Sequence, residues 1–508
     1  MCRKSLIKIY VFIFILIIIT LLVFNSSDKS ADIDYSFPDG FLIGAASSSY
    51  QVEGAWNTSG KSESVWDNFV HTRPEKIADR STGDIACDSY HKYKEDIQLM
   101  KDIGINHYRF SLSWARILPT GYSKDVNKEG LLYYHNILDE LEKHEIEPMV
   151  TIYHWDHPQI LERLGGWMNE LMADFFADYA TVVFREFGHR VKIFSTINEP
   201  YIYCIVGYKT LRFAPGLNLS GWGEYQCVHN MLKAHAIAYH IYDRDFRSQQ
   251  NGKIGIVMPC FQHYSKDKND LVSTNIAFEF QCGWTAHPIF SKDGDYPKIM
   301  KQMIAKNSKL EGRKRSKLPT FSKEWIEYIK GTSDYFGLNH YTADLVEPSP
   351  KAAAFDSLND DGLLYTVDEK WLSSQSKWLK VVPDGLGEIL RQIKNRYNNP
   401  PVYIMENGVS DPNIVNDTIR IQYLYAYMKE MLVAMKRDNC NIKAYTIWSF
   451  LDSFEWDMGY VLVSLKDHFG LVSVDFNDPN RKRTPKKSVS WLKSVLKSRK
   501  LQPIIDYT

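Results

Sequence analysis

Two glutamates directly follow short apolar runs that have the character of buried strands. Glu199 closes FSTINE at residues 194–199, and Glu406 closes VYIME at residues 402–406. A carboxylate at the end of a buried strand must be solvated, paired or used, because burying an isolated charge is costly. Where two carboxylates share one site and their environments separate their pKa values, one can act as an acid and the other as a base or nucleophile.

Polar and aromatic side chains end or follow most of the other apolar runs. Hydrogen-bonding groups beside aromatic platforms are what a polyhydroxylated ring requires, so this lining and the two carboxylates suggest glycoside hydrolysis. Two geometries stay open: at about 5–5.5 Å between the carboxyls one is a nucleophile, and at about 6.5–9.5 Å it activates water. The strand-end residues are Gln51, Arg109, His154, Asn198, Asn339, Tyr341, Trp448, Glu455 and Trp456.

Strand-like apolar runs recur along the chain and leave room for helices between them. In residues 89–104, apolar residues recur at helical spacing from Tyr93 to Ile103, and Gly104 follows as a stop. Near-continuous apolar strands alternating with helices predict a parallel sheet buried on both faces. Eight such units in an undivided chain favour a single (β/α)8 TIM barrel of the α/β class, with its chemistry at the C-terminal ends of the strands. The eight runs are residues 41–47, 107–114, 147–155, 191–198, 253–259, 334–341, 401–407 and 444–450.

Composition and charge exclude some classes of partner. Of 508 residues 44% are hydrophobic, and 61 basic residues balance 61 acidic ones, so no overall field recruits nucleic acid or an anionic surface. Basic runs at 306–317 and 481–487 lack the interleaved aromatic residues that base stacking needs, and we expect solvated loops. His154 and His157 form an H-x-x-H pair without a third ligand, so neither a metal nor a cofactor is predicted.

The N-terminus predicts entry into the secretory pathway. Arg3, Lys4 and Lys8 precede an apolar run at residues 9–24, the pattern of a signal peptide. Because the run is slightly long for a cleaved signal and slightly short for a membrane span, two outcomes stay open: a secreted protein, or a type II membrane protein with a lumenal or extracellular domain. The predicted division is a signal or anchor at 1–27, a linker at 28–35, the barrel at 36–500 and a tail at 501–508. Glycosylation sequons begin at Asn25, Asn57, Asn218 and Asn416.

The seven cysteines are scattered, and none of them forms a C-x-x-C pair. Neither a structural zinc site nor a dense disulfide framework is therefore predicted. One or two disulfides fit a secretory compartment, but their pairing cannot be read from the spacing.

Many separate motifs, in order along the chain, resemble those of the family 1 glycoside hydrolases, the β-glucosidase family. The resemblance runs from about residue 36 to 495, and the segments GWTAHPIF and CVHNMLKAHAIAYH resemble its insect branch. It implies a (β/α)8 barrel that acts with retention at the anomeric carbon, so it selects the nucleophile geometry. The motifs are SYQVEGAW, HYRFSLSW, YHWDHPQ, STINEP, FGLNHYT, YIMENG and WSFLDSFEW.

Carried over motif by motif, the resemblance implies a role for each residue. Glu199 would be the general acid/base and Glu406 the nucleophile, with Arg109 and Tyr341 beside the nucleophile, where a cation and a hydroxyl donor favour its charged form. Trp378 would lie on the aglycone side. The positions expected to contact the sugar are Gln51, His154, Asn198, Asn339, Trp448, Glu455 and Trp456.

The sequence departs from the family pattern at several positions. His157 stands where Leu is usual, Leu211 where Gly is usual, Asp384 where Trp is common, and residues 459–471 are longer than usual and lack an Arg. Met405 replaces the usual Thr before the glutamate. Because alternate strand side chains face opposite ways, we expect Met405 to point toward the helix layer if Glu406 points into the mouth.

The leading hypothesis is a secreted retaining β-glucosidase that acts on small O-linked β-glucosides. A thioglucosidase stays open: plant thioglucosidases of the family replace the acid/base Glu with Gln, so Glu199 favours O-glycosides without excluding thioglucosides. A transglucosidase would differ only in the acceptor. A catalytically inactive receptor, like the klotho proteins, is disfavoured because those have lost one or both carboxylates and this chain keeps both.

Overall fold

The computed structural model describes residues 33–349, 360–412, 415–460 and 468–504. The predicted signal or anchor at 1–27 and the sequon at Asn25 lie outside the described residues. So do most of the linker, residues 461–467 of the long loop, and the last four residues of the tail. Within the described ranges no helix is long and apolar enough to span a membrane.

Eight parallel strands close into a barrel in which each strand pairs with its sequence neighbours and the last pairs with the first. In the closing pair, Leu42 lies opposite Ala444 and Ala46 opposite Trp448. All eight predicted strands are confirmed, and so is the (β/α)8 fold. The strands are β1 (Leu42–Ala46), β2 (His107–Ser111), β3 (Glu147–Tyr153), β4 (Ile193–Asn198), β5 (Lys253–Pro259), β6 (Tyr335–Asn339), β7 (Val402–Asn407) and β8 (Ile442–Trp448).

One long helix follows each strand and packs on the outside of the barrel. The first, Ser89–Ile103, buries Ile97, Met100 and Ile103, as their spacing predicts. It ends where Gly104 takes a left-handed φ of 87°, which glycine adopts without a Cβ penalty. The eight helices are α1 (Ser89–Ile103), α2 (Lys128–Lys143), α3 (Met172–Phe187), α4 (Gly223–Asp245), α5 (Leu271–Phe290), α6 (Pro383–Arg396), α7 (Thr418–Lys436) and α8 (Lys487–Ser498).

A separate apolar cluster fills the barrel interior. Its members come from strands β3 to β8, and Leu42 of β1 packs against it; strands on opposite sides of a barrel can share such contacts only inside it. Met405 belongs to this cluster, so the expectation that it points toward the helix layer is wrong. The cluster is Met149, Ile193, Val257, Tyr335, Tyr403, Met405 and Ala444.

Additional strands and helices lie outside the eight strand–helix units, and the sequence patterns did not predict them. Three small sheets pair Gln262–Ser265 with Ala343–Pro348 and Leu363–Thr366, Leu372–Ser373 with Lys380–Val381, and Val472–Val474 with Arg483–Pro485. The further α-helices are Ser49–Val52, Val65–Thr72, Trp114–Ile117, Gln159–Arg163, Pro200–Tyr208, Arg247–Gln250, Lys298–Leu310 and Lys323–Ile329, and the 3-10 turns are Pro74–Lys76, Gly166–Met168 and Trp456–Met458.

The basic run at 481–487 is not the solvated loop that its charge suggests. Lys486 is buried and its Nζ lies 2.7 Å from Asp452 Oδ1, while Arg483 is buried against both oxygens of Asp96. Buried charges are tolerated when they are paired in this way. In the run at 306–317, Lys317 is likewise buried, with its Nζ 2.9 Å from Asp360 Oδ1. The expectation of solvated loops is therefore wrong for these three residues.

Two disulfides join Cys204 to Cys227 and Cys260 to Cys282. Among the other described cysteines, Cys87 and Cys440 are free and buried. Two disulfides agree with the expected number, and the structure supplies the pairing that the spacing left open.

Candidate active site

Each of the two glutamates lies at an irregularity in its strand. In β4, the four residues from Ser195 to Asn198 lie opposite three of β5, and Glu199 follows with a left-handed φ of 46°. In β7, the four residues from Ile404 to Asn407, which include Glu406, lie opposite three of β8. Such bulges re-aim side chains beside active sites. The bulge in β7 lets Met405 join the interior cluster while the next residue, Glu406, also points into the mouth.

The Glu406 carboxylate is held by a cation and a hydroxyl. Arg109 Nη1 on β2 donates to Oε1, and the Tyr341 hydroxyl donates to Oε2 at 2.7 Å. Burial and the charges of Glu406 and Glu199 raise the pKa of Tyr341 far above its usual range, so the phenol keeps the proton that it donates. A cation and a hydroxyl donor thus each contact one oxygen of the Glu406 carboxyl.

The Glu199 carboxyl has a different environment. Among the described residues it accepts one side-chain hydrogen bond, from Asn339 Nδ2 to Oε1 at 2.7 Å. Burial, followed by the charge of Glu406, raises the pKa of Glu199 to about 8, against the opposing effects of Asn339 and Arg109. This carboxyl therefore holds a proton at neutral pH, as a general acid must.

Asn198 connects the two carboxyls. Its Oδ1 accepts from Arg109 Nη2 at 2.7 Å and from Asn339 Nδ2 at 3.3 Å, and its Nδ2 lies 3.2 Å from His154 Nε2. Burial and the charge of Arg109 lower the pKa of His154 well below its usual range, so the imidazole is neutral. No described residue hydrogen-bonds to His154 Nδ1 or Asn339 Oδ1, although both atoms are buried.

Aromatic rings adjoin this hydrogen-bond network. The His154 ring lies 6.0 Å from the ring centroids of Trp448 and Trp456 and is nearly parallel to both. Gln51, in the short helix Ser49–Val52 after β1, is fully buried and donates from Nε2 to Phe454 O at 2.8 Å. Glu455 accepts from Ser453 Oγ at 2.9 Å. Flat rings thus adjoin polar side chains, the combination that a sugar requires.

Trp378 lies further out, at the rim. It is 48% exposed, its ring centroid lies 5.7 Å from that of Tyr341, and it stacks on Phe261 at 6.4 Å. It is the one predicted site residue that is largely exposed, and it adjoins the buried group through Tyr341.

The structure also shows functional neighbours that the sequence patterns missed. Thr151 Oγ1 accepts from Arg109 Nε at 3.1 Å, and Trp155 Nε1 donates to Asn198 O at 2.8 Å. Tyr50 stacks on Trp456 at 6.4 Å. Tyr50 and Trp155 are next to the predicted positions Gln51 and His154, whereas Thr151 lies three residues before His154 and carried no signal of its own.

Three departures from the family pattern have distinct surroundings. His157 is buried, with Nδ1 2.9 Å from Tyr153 Oη and Nε2 2.9 Å from Glu162 Oε2, so it does not converge with His154. Leu211 has a left-handed φ of 61°, the conformation that a glycine would adopt without strain. Asp384 is exposed in the first turn of α6, where a carboxylate interacts favourably with the helix dipole.

A closed (β/α)8 barrel with two buried carboxyls in different electrostatic environments, beside polar and aromatic sugar-binding groups, defines a glycoside hydrolase. The chain belongs to glycosyl hydrolase family 1, whose model matches residues 33–501. It is a retaining β-glycosidase.

Relatives with different substrates are similar over almost the whole chain. Myrosinase 1 of the aphid Brevicoryne brassicae is 45% identical, over 92% of this chain and all of that protein. The human cytosolic beta-glucosidase is 40% identical, over 92% of this chain and 99% of its own length. A mutant of a rice β-glucosidase, solved in a covalent complex with Glc, superposes with a TM-score of 0.84 at 37% identity, over 91% of this chain and 99% of that one.

Proposed function

We propose that this protein hydrolyses O-linked β-glucosides by double displacement, with Glu406 as nucleophile and Glu199 as general acid/base. The observation that carries the proposal is the contrast between the two carboxyls. Arg109 and Tyr341 each contact one oxygen of the Glu406 carboxyl, whereas burial and the nearby charge of Glu406 raise the pKa of Glu199 to about 8.

In the first step, the Glu406 carboxylate attacks the anomeric carbon and the bond from that carbon to the aglycone oxygen breaks. Glu199 gives its proton to the leaving oxygen, and a glycosyl ester forms on Glu406. In the second step, Glu199 takes a proton from a water that attacks the same carbon, and the ester bond breaks. Two inversions give the β-product and return both carboxyls to their starting states.

The proposed sugar contacts follow from the unused polar atoms. His154 Nδ1 and Asn339 Oδ1 are buried without a described partner, and a buried polar group of this kind gains from a hydrogen bond to a substrate hydroxyl. We assign Trp448 to the face of the ring and Trp378 to the aglycone. The remaining proposed contacts are Gln51, Asn198, Glu455 and Trp456.

Replacing either carboxyl tests the roles. Glu406→Gln should abolish turnover of an activated aryl β-glucoside while the fold is kept. An active variant would disprove the assignment of Glu406 as the nucleophile. Glu199→Ala should still form the intermediate from a good leaving group, and azide should restore turnover and give a β-glycosyl azide. An α-glycosyl azide would contradict retention, and no azide effect would contradict the role of Glu199.

A thioglucosidase is the second candidate, favoured by the 45% identity with an aphid myrosinase. A thiol leaving group needs little protonation, and Glu199 could also serve there. Aryl β-glycosides, alkyl β-glucosides and a glucosinolate, measured with one preparation, separate the two by kcat/KM. Adding an alcohol acceptor and analysing the products distinguishes a transglucosidase.

We further propose that the chain enters the secretory pathway and is glycosylated. Asn57, Asn218 and Asn416 are exposed, as glycan attachment requires, and the two disulfides fit an oxidising compartment. Mass analysis of the product before and after an endoglycosidase tests the sequons. The same analysis distinguishes a cleaved signal from an anchor that retains residues 1–27.

A further inference from the structure

We propose that the two disulfides are positioning elements for the Glu199 carboxyl, and that the Glu406 carboxylate does not depend on them. The proposal rests on the acid/base role of Glu199 proposed above. It assigns Cys204–Cys227 and Cys260–Cys282 to proton transfer to the leaving group, in addition to any part they have in stability.

The first disulfide fixes the helix that begins at Glu199. Glu199 is the N-cap of the helix Pro200–Tyr208, and Cys204 lies in the middle of that helix. A helix of nine residues is marginal by itself, so its direction depends on what holds it. Cys204 is fully buried and crosslinked to Cys227 near the start of α4. The crosslink therefore limits movement of the backbone from which the Glu199 side chain projects.

The second disulfide fixes the residue that donates to Glu199. Cys260 directly follows β5 and is crosslinked to Cys282 in α5. Its backbone N–H donates to Asn339 O at 3.0 Å, and its carbonyl accepts from His340 Nδ1 at 2.8 Å. Asn339 Nδ2 in turn donates to Glu199 Oε1 at 2.7 Å. The crosslink thus holds the end of β6 in register beside Glu199.

The Glu406 carboxylate has anchors of its own. Arg109 reaches it from β2, which neither disulfide touches. The carbonyl of Tyr341 accepts from Tyr423 and Tyr427 of α7 at 2.8 and 3.0 Å, which places the phenol that donates to Glu406. The backbone N–H of His340 also donates to Glu406 O at 3.0 Å, but this contact does not hold the carboxylate itself.

The test replaces each disulfide with a pair of alanines, Cys204→Ala with Cys227→Ala and Cys260→Ala with Cys282→Ala. Alanine avoids the buried unsatisfied hydroxyl that serine would leave. kcat/KM is measured for an alkyl β-glucoside, which needs a proton on its leaving group, and for 2,4-dinitrophenyl β-glucoside, which does not. Because displacement by about 1 Å can lower a rate about a hundredfold, we expect the alkyl glucoside to lose at least about tenfold. The dinitrophenyl glucoside should change less than about twofold.

Cys440→Ala is the matched control, because Cys440 is buried but carries no crosslink and precedes β8 at the opposite end of the barrel. Cys440→Ala should leave kcat/KM for both substrates unchanged. If an alanine pair does not fold, the wild-type protein is reduced under native conditions, its thiols are counted and the same two substrates are compared.

Equal losses on both substrates, or no loss on the alkyl glucoside, would overturn the inference. Glu199→Ala, assayed in parallel, separates this inference from the proposed function. If Glu199→Ala lacks the leaving-group selectivity, the acid/base assignment itself fails. If Glu199→Ala shows the selectivity and the alanine pairs do not, only the role of the disulfides fails.

Discussion

The surroundings of Glu406 and Glu199 differ in almost every respect except position. Each glutamate lies at a bulge at the C-terminal end of a barrel strand, and the exposures of Glu406 and Glu199 are 5% and 7%. Glu406 has a guanidinium and a phenol in direct contact, whereas Glu199 has one amide. The two carboxyls are thus similarly buried in different environments: Glu406 is paired with Arg109, whereas burial and the charge of Glu406 raise the pKa of Glu199.

The difference also shows how one fold assigns two roles to one residue type. The end of each strand positions a carboxyl in the barrel mouth. Side chains from the neighbouring strands then set the electrostatic environment of that carboxyl. Arg109 contacts Glu406 and, through Asn198, also lies in the hydrogen-bond network of Glu199. The contrast is therefore open to test by changing the partners and leaving both carboxyls in place.

Removing the cation should have the largest effect. Arg109→Met leaves the Glu406 carboxylate buried without its partner, which lowers the free energy of unfolding by about 3–5 kcal/mol. Because preorganised charge at the reacting group is also lost, kcat/KM for an activated aryl β-glucoside should fall about 10³-fold. Steady-state kinetics and urea unfolding measure the two effects.

Arg109→Lys is the matched control, since it keeps the charge but cannot contact Glu406 and Asn198 in the same fork geometry. Its kcat/KM should lie between that of the wild type and that of Arg109→Met. If Arg109→Met lowered kcat/KM by no more than about tenfold, a loss far smaller than a missing preorganised charge should cause, the pairing with Arg109 would not explain the contrast.

Removing the phenol hydroxyl should have the next largest effect. Tyr341→Phe keeps the ring that packs near Trp378 and Phe469 but removes the donor to Glu406 Oε2. Loss of one preorganised donor lowers a rate by about 10²–10³-fold, and we expect a fall in kcat/KM near 10²-fold with little change in stability. Tyr122→Phe, at a tyrosine that is 43% exposed, should change neither quantity.

On the Glu199 side, Asn339→Ala should move a pH profile. The hydrogen bond from Asn339 lowers the pKa of Glu199, against the larger effect of burial, so its removal raises that pKa further. Glu199 must be protonated in the first step, and the basic limb of kcat/KM against pH should shift to higher pH. The limb is read separately from the height of the profile, which falls if Asn339 also binds the sugar. A limb that stays or moves to lower pH would contradict the assignment.

The sequence predicted the barrel and most of the site because both depend on local patterns. All eight strands are near-continuous apolar runs, and the candidate side chains stand where those runs end. The bulges were not predictable, since a bulge is visible only against the partner strand. Strict alternation with Glu406 therefore predicted that Met405 points toward the helix layer. In the structure Met405 lies with Tyr403 in the barrel interior.

Partners distant in sequence account for the other differences. The run at 481–487 looks solvated until Asp96 and Asp452 are placed beside Arg483 and Lys486. The disulfide pairing depends in the same way on which helices lie side by side. Charge and cysteine spacing carry no information about such neighbours, whereas hydrophobic periodicity reports directly on burial.

The smallest expected effect tests whether strain after the Glu199 helix contributes to the site. Leu211 follows that helix with a φ of 61°, and Arg212 joins the segment to Asp457, beside Trp456, at 2.7 Å. Leu211→Gly relieves about 1–2 kcal/mol of left-handed strain and adds about 0.5–1 kcal/mol of unfolded-state entropy. The net gain in the free energy of unfolding should be about 0.5–1 kcal/mol, with kcat/KM unchanged.

Asn251→Gly, at an exposed left-handed position with φ of 51°, should gain less because Asn tolerates this conformation. Unfolding in urea ranks the two variants, and a change in kcat/KM for Leu211→Gly would mean that this segment, as well as the strands and disulfides, positions the acid/base side.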